Sequence, residues 1–110
     1  MKFLQVNYAR TLGSADPAQR ERNRLAAEHI SEVPGLIWKI WGSDDERGQA
    51  AGLYLFLDET SARAWGEGPM RTSLAAMPGV SDIRASYFDV DEALSARTRG
   101  PLSAPDATAQ

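Results

Sequence analysis

Pro34-Gly35-Leu36-Ile37-Trp38-Lys39-Ile40-Trp41-Gly42, a polar stretch from Ser43 to Gly48, and then Ala51-Gly52-Leu53-Tyr54-Leu55-Phe56-Leu57-Asp58 decide the fold of this chain. Two apolar and aromatic runs separated by a short polar segment make a β-hairpin. Two of the three Trp residues and one of the two Lys residues fall within four positions of its first strand. Lys is depleted in strands and expensive to bury. A Lys between two Trp marks a strand that borders a cavity; the alternative is a solvent-facing Lys39 beside two packing indoles. In regular alternation Leu36, Trp38 and Ile40 share one face, opposite Ile37, Lys39 and Trp41. Large apolar groups on both faces of the hairpin predict a sheet covered on both sides.

Upstream, Phe3 to Tyr8 alternates, with Leu4, Val6 and Tyr8 on an apolar face and Phe3, Gln5 and Asn7 on a mixed one. Asp16-Pro17 is a helix start, a carboxylate N-cap followed by proline at the first helical position. The helix is expected to run to about Val33, with Ala18, Leu25, Ala26, Ile30 and Val33 as its inward stripe, and Pro34-Gly35 ends it. Downstream, Asp58 caps a second helix with Ala62 and Trp65 inward. Gly66 to Pro69 interrupts it, a further helical turn follows to Ala76, and Pro78-Gly79 turns the chain. Val80 to Val90 reads as the last strand, with Ile83, Ala85 and Tyr87 opposite Asp82, Arg84, Ser86 and Phe88. A short helical turn over Glu92 to Ala96 closes a domain spanning 1–96, and 97–110 reads as a C-terminal tail rich in Pro, Ala, Ser and Thr.

The order β-α-β-β-α-β is the ferredoxin-like α+β arrangement: a four-stranded antiparallel sheet with two helices on one face. The other face carries Trp, Tyr or Phe on every candidate surface, so a second subunit is expected to cover it. Two sheets facing one another give a dimeric α+β barrel, with the site between the sheet and its cover.

The 110 residues suit one domain, and 43% hydrophobic and 25% charged residues are ordinary for a globular protein. A formal net charge of −3 without a dominant basic cluster argues against nucleic-acid binding. The chain has no Cys and one His, so thiolate chemistry, a disulfide framework and a metal ligand set are not expected. His29 reads as packing or surface, outside the cavity. The first residues turn polar too soon for a signal peptide, no stretch is long enough to span a membrane, and a cytoplasmic location is expected. There is no P-loop, dinucleotide fingerprint or nucleophile elbow, so no cofactor is expected. What remains is a small-molecule site with aromatic walls and a few hydrogen-bonding groups. Its candidates are Gln5 and Asn7 from the first strand, Trp38, Lys39, Trp41, Tyr54 and Phe56 from the hairpin, and Arg84, Ser86 and Phe88 from the last strand. Of these Ser86 more readily faces water.

The block from Pro34 to Trp41, the run from Gly52 to Asp58, and Phe88-Asp89-Val90 followed by Ala93-Leu94-Ser95 resemble the YdhR family, whose members are classed as monooxygenases. The resemblance covers Phe3 to Ser95. It implies a homodimeric α+β barrel related to the antibiotic-biosynthesis monooxygenases, which oxidise electron-rich aromatic or polyketide-like substrates with O₂ and neither metal nor flavin. It implies catalytic roles for Asn7 and Tyr54, with Arg84 added from the pocket reading as a contact for an oxyanion. Gln5, Trp38, Lys39, Trp41, Phe56 and Phe88 would bind substrate. The family pattern often has His where this chain has Asn7. The second helix lacks the His that haem-degrading relatives use, which disfavours haem. The alternatives are a cyclase or isomerase using the same pocket, or a non-catalytic small-molecule-binding dimer.

Overall fold

The computed structural model describes residues 1–103; the end of the expected tail, 104–110, lies outside the described residues. The elements are β1 (Lys2–Arg10), α1 (Pro17–Ile30), β2 (Leu36–Asp44), β3 (Gln49–Phe56), α2 (Glu59–Gly66), α3 (Pro69–Ala75), β4 (Val80–Asp89) and α4 (Glu92–Arg97). The four strands form one antiparallel sheet in the order β2-β3-β1-β4. This is the ferredoxin-like topology, with β1 and β3 central and the hairpin's β2 on an edge.

Alternation along β1 sorts the two faces. Leu4, Val6, Tyr8 and Arg10 are buried, while Phe3, Gln5, Asn7 and Ala9 are half-exposed on the other side. The buried face continues through Ala50, Tyr54 and Phe56 of β3 and Ile83, Ala85 and Tyr87 of β4. Helices cover it: α1 contributes Ala26 and Ile30, α2 Ala62 and Trp65, α3 Met70 and Leu74. Burial of side chains this size supplies ~1.5–3 kcal/mol each and dominates the stability of so small a core.

The helix starts follow from their caps. Asp16 accepts from the Gln19 backbone N–H at 2.9 Å, Asp58 from Ser61 at 2.8 Å, and Asp91 from Leu94 at 3.0 Å. The inward stripe of α1 differs from the expected one. Gln19, Asn23, Ala26 and Ile30 face inward, at spacings of four, three and four. Gln19 is fully buried, Leu25 is 51% exposed, and Ala18 is exposed. The helix also stops at Ile30 rather than near Val33, because Gly35 at φ +79° turns the chain back into β2.

A second difference lies in β2. Its register on β3 shifts between Leu36, opposite Phe56, and Trp38, opposite Leu55, with Ile37 as the extra residue of a bulge. The bulge inverts the alternation there. Leu36 joins Lys39 and Trp41 on the helix face, and Trp38 joins Ile40 on the open face. A matching irregularity in β4 lies between Arg84 and Ser81, where Asp82 adopts φ 54°.

The open face presents Phe3, Trp38, Ile40, Leu53 and Phe88, with Phe3 and Phe88 ring centroids 5.7 Å apart in an edge arrangement. Its fully buried strand residue is Leu55, between its register partners Phe3 and Trp38. The segment after α4 reaches this face, where the Trp38 indole N–H donates to the Pro101 carbonyl at 2.9 Å. Among the described residues no helix is long and apolar enough to cross a membrane.

Candidate functional site

A cavity lies on the helix face, between α1 and the hairpin. On the inward side of α1 Asn23 lines it, and Gln19 Nε2 donates to Asn23 Oδ1 at 2.9 Å. An outer lobe of about 160 Å³ is lined by Tyr8, Arg10, Ser14, Asn23, Lys39, Trp41, Ser43 and Tyr54 among others. An inner lobe of about 60 Å³ shares Lys39, Trp41, Tyr54 and Leu74 with it and adds His29, Trp65 and Met70. A wider, open groove of about 420 Å³ between the end of α1 and α2 meets the inner lobe at His29 and Trp65. Its lining has few converging polar groups, so it suits a passage better than a reaction site.

Lys39 stands where the lobes join. Its Nζ lies 3.3 Å from the centroid of the Trp41 ring and 4.7 Å from that of Tyr54, and among the described residues no carboxylate pairs with it. A Cβ built on Gly52 would stand 3.1 Å from Lys39 Cε and 3.2 Å from the Tyr54 ring, so the glycine leaves the lysine stem its path across β3. Burial pushes the amine down to about 7. Each of the two aromatic faces favours the ammonium by ~0.5–2 kcal/mol and opposes that shift. At neutral pH the amine is therefore poised between base and cation.

Tyr54 is buried and stacks on Phe56 and against Trp65, with centroids 6.2 Å apart in both pairs. Burial pushes its phenol up to about 12, so it is a hydroxyl donor at neutral pH. Burial raises Tyr8 as well, with Arg10 pulling the other way. The Trp65 indole N–H, on the inner lobe, is buried without a hydrogen-bond partner.

At the outer end Arg10 continues the inward row of Leu4, Val6 and Tyr8. Its Nη2 donates to Ser14 Oγ at 3.0 Å and lies 3.5 Å from the Asp45 carboxylate. Ser14 Oγ is in turn 2.9 Å from Ser43 Oγ. Hydrogen bonds from the Ser14 backbone and hydroxyl, and then Arg10, hold Asp45 below the usual carboxylate range.

The sheet thus divides the sequence-based candidates. Lys39, Trp41 and Tyr54 meet in one cavity. Gln5, Asn7, Trp38, Arg84 and Phe88 lie on the opposite face and cannot touch a group bound beside Tyr54. There the polar groups satisfy one another: Gln5 Nε2 donates to Asn7 Oδ1 at 3.0 Å, and Arg84 pairs with Asp82 at 2.9 Å from a largely exposed position. Ser86 is exposed on the same face, and Phe88 is 49% exposed. Phe56 is wholly buried behind Tyr54 and lines none of these lobes. His29, read from the sequence as lying outside, borders the inner lobe with its ring centroid 6.3 Å from that of Trp65. The sequence reading missed Tyr8 as a wall, Arg10, Asn23 and Trp65. A charge that extends an inward alternation, as Arg10 does, was the available signal. Among the described residues no three His, Cys, Asp or Glu side chains converge as metal ligands would.

Residues 3–101 match the family described as "Putative mono-oxygenase ydhR". No curated protein matches the chain. Solved structures share the fold at low sequence identity. One is the ActVA-Orf6 monooxygenase of Streptomyces coelicolor in complex with nanaomycin D, at 22% identity and TM-score 0.57, over 80% of this chain and 86% of that one. Another is SnoaB of Streptomyces nogalater, a cofactor-independent oxygenase, at 16% identity and TM-score 0.57, over 82% and 93%. A third is a dimeric ferredoxin-like protein of Thermobifida fusca, at 21% identity and TM-score 0.58, over 82% and 92%. With nearly its whole length matched, the chain belongs to the ydhR mono-oxygenase family.

Proposed function

We propose that this ydhR-family protein is a homodimeric, cofactor-independent monooxygenase that oxidises a small electron-rich aromatic or polyketide-like substrate held between α1 and the hairpin. The observation that carries this reading is Lys39: a half-buried amine with no carboxylate partner among the described residues, set between two aromatic faces in a cavity. Direct reaction of O₂ with an aromatic substrate needs the substrate as its anion, hence a base and a site that stabilises the anion once formed. A neutral Lys39 amine does both in turn, taking the proton and then facing the anion as an ammonium.

For an anthrone-like substrate the sequence balances without another reductant. Lys39 removes the acidic proton. The carbanion passes one electron to O₂, and the resulting radical and superoxide join through a new C–O bond. The peroxide oxygen takes its proton back from Lys39. Loss of the remaining C–H proton and cleavage of O–O release water and leave a ketone, so that CH₂ and O₂ become C=O and H₂O. Tyr54, protonated at neutral pH, donates to the substrate's oxygen, while Trp41 and Tyr8 flank its ring. The relatives' names support the class, with nanaomycin D bound to one monooxygenase and cofactor independence stated for the other.

The open face favours a second copy of the chain. Ile40 and Phe88 are each about half exposed there beside Trp38 and Phe3, and the Thermobifida fusca relative is dimeric. Oxygen uptake with anthrone and hydroxynaphthalene substrates, in the presence of a chelator and without flavin, tests the reaction. Consumption that is lost in Lys39→Met supports it, and consumption unchanged by Lys39→Met overturns it.

A further inference from the structure

The two cationic groups of the cavity sit at opposite ends of it. Lys39 Nζ lies 3.6 Å from where a Cβ on Gly52 would stand, at the level of the Trp41–Gly52 pair. Arg10 reaches, through Ser14, to Ser43, which pairs with Ala50. The two levels are two residues apart along β3, about 7 Å at the usual strand rise, with Tyr8 at the level of Ala50. Arg10 is 7% exposed, and its Nε is buried with no hydrogen-bond partner. Its one acidic neighbour, Asp45, sits at the rim, half exposed and 3.5 Å away. A guanidinium so buried and so incompletely paired costs stability unless something else completes it. Clamping the loop after β1 would need only the Nη2 contacts to Ser14 and Asp45, and leaves Nε unexplained.

We propose that the cavity selects aromatic substrates that carry a carboxylate at the end of the ring system opposite the reacting hydroxyl or enol, and that Arg10 receives this carboxylate. The assignment of the hydroxyl end rests on the reading of Lys39 given above. Guanidinium and carboxylate match as a planar fork, and the pairing gains strength where water is excluded. A fused two-ring acid spans the distance between the ends, with its faces against Trp41 and Tyr8. Asp45 then acts as a rim competitor that partly neutralises Arg10 when the cavity is empty.

Anaerobic calorimetric titration with 6-hydroxy-2-naphthoic acid, its methyl ester and 2-naphthol tests this. The acid should bind at least about tenfold more tightly than either neutral compound, the scale of one charge-assisted bidentate contact. Arg10→Gln should reduce that preference to within about twofold. Asp45→Asn should strengthen binding of the acid by roughly threefold and leave the ester unchanged, and it carries the test if the Arg10 variant does not fold. Equal affinity for acid and ester in the wild type, no binding of the acid, a full preference in folded Arg10→Gln, or an Asp45→Asn protein that binds the acid no better would each overturn the proposal. Oxygen uptake is no part of this readout. A protein that prefers the acid yet consumes no oxygen would refute the proposed reaction and leave Arg10's role standing. Oxygen consumption by a protein indifferent to the carboxylate would do the reverse.

Discussion

The two faces of the sheet are made by the same strands and are opposites in chemistry. On the helix face the polar groups are few, buried and incompletely paired: Lys39 without a carboxylate, Arg10 Nε without an acceptor, the Trp65 indole N–H without a partner. On the open face the polar groups are paired with one another, as Gln5 with Asn7 and Arg84 with Asp82, and it is the apolar groups that lack cover. Unpaired buried polar groups call for a ligand; uncovered apolar groups call for another protein surface. Polarity alone would have put the site on the open face, where more hydrogen-bonding side chains project. Burial and pairing favour the other.

The contrast can be broken most severely at Lys39. Lys39→Met preserves the stem and its packing but removes the base, and turnover measured by oxygen uptake should fall by ~10²–10⁴-fold, the range for a positioned general base. The next effect in size belongs to the other face. Ile40→Glu combined with Phe88→Glu should yield a monomer by light scattering at micromolar concentration, a loss of at least ~10²-fold in association. A dimer that survives both charges would show that the open face is not the interface. Tyr54→Phe, which leaves the stacking on Phe56 in place, should cost ~10-fold in turnover, as befits a single hydrogen bond that strengthens in the transition state.

A thermodynamic consequence separates the faces as well. The amine of Lys39 is held near 7 in the folded chain and lies near the ordinary 10.5 in the unfolded one. Between those values the unfolded state binds more protons, so this group's contribution to stability rises with pH across about 7 to 10 and is flat below. Denaturant unfolding should show that rise in the wild type, of up to ~4 kcal/mol where solvent does not reach the amine, and not in Lys39→Met. The smallest effects are expected from Asn7→Ala and Arg84→Ala. Turnover of folded, dimeric variants should stay within about threefold of the wild type, because neither side chain reaches the cavity. A large loss in either would return catalysis to the open face.

The architecture was legible because it rests on local signals. Asp16-Pro17 and Asp58 mark helix starts through a hydrogen bond that each makes three residues ahead, and the hairpin's alternation is visible in its composition. The oddity of Lys39 between two indoles was legible for the same reason. Which residues share a face was legible too, save at Leu36: the bulge at Ile37 moves it to the face of Lys39 and Trp41, and no residue type in that run announces it. The cavity's position depended on the phase of α1. A stripe containing Leu25 promised a closed helix–sheet contact, but Gln19 and Asn23 take inward positions instead. Arg10 was passed over because a charge at a strand's end is usually solvated; here the loop from Thr11 to Asp16 and the hairpin tip enclose it.

The central claim is that one of this chain's two lysines is a base at neutral pH, and those two lysines make it directly measurable. In protein labelled with ¹³C at lysine Cε, two signals are followed by NMR from pH 5.5 to 11. Lys2, paired with Asp89 and Glu59, is held above the ordinary lysine range and should not titrate near neutral pH. The signal absent from the Lys39→Met spectrum should titrate near 7, in the free protein and without substrate. Two signals that both titrate above 10 would contradict the account, because the cavity would then hold a permanent ammonium and no base.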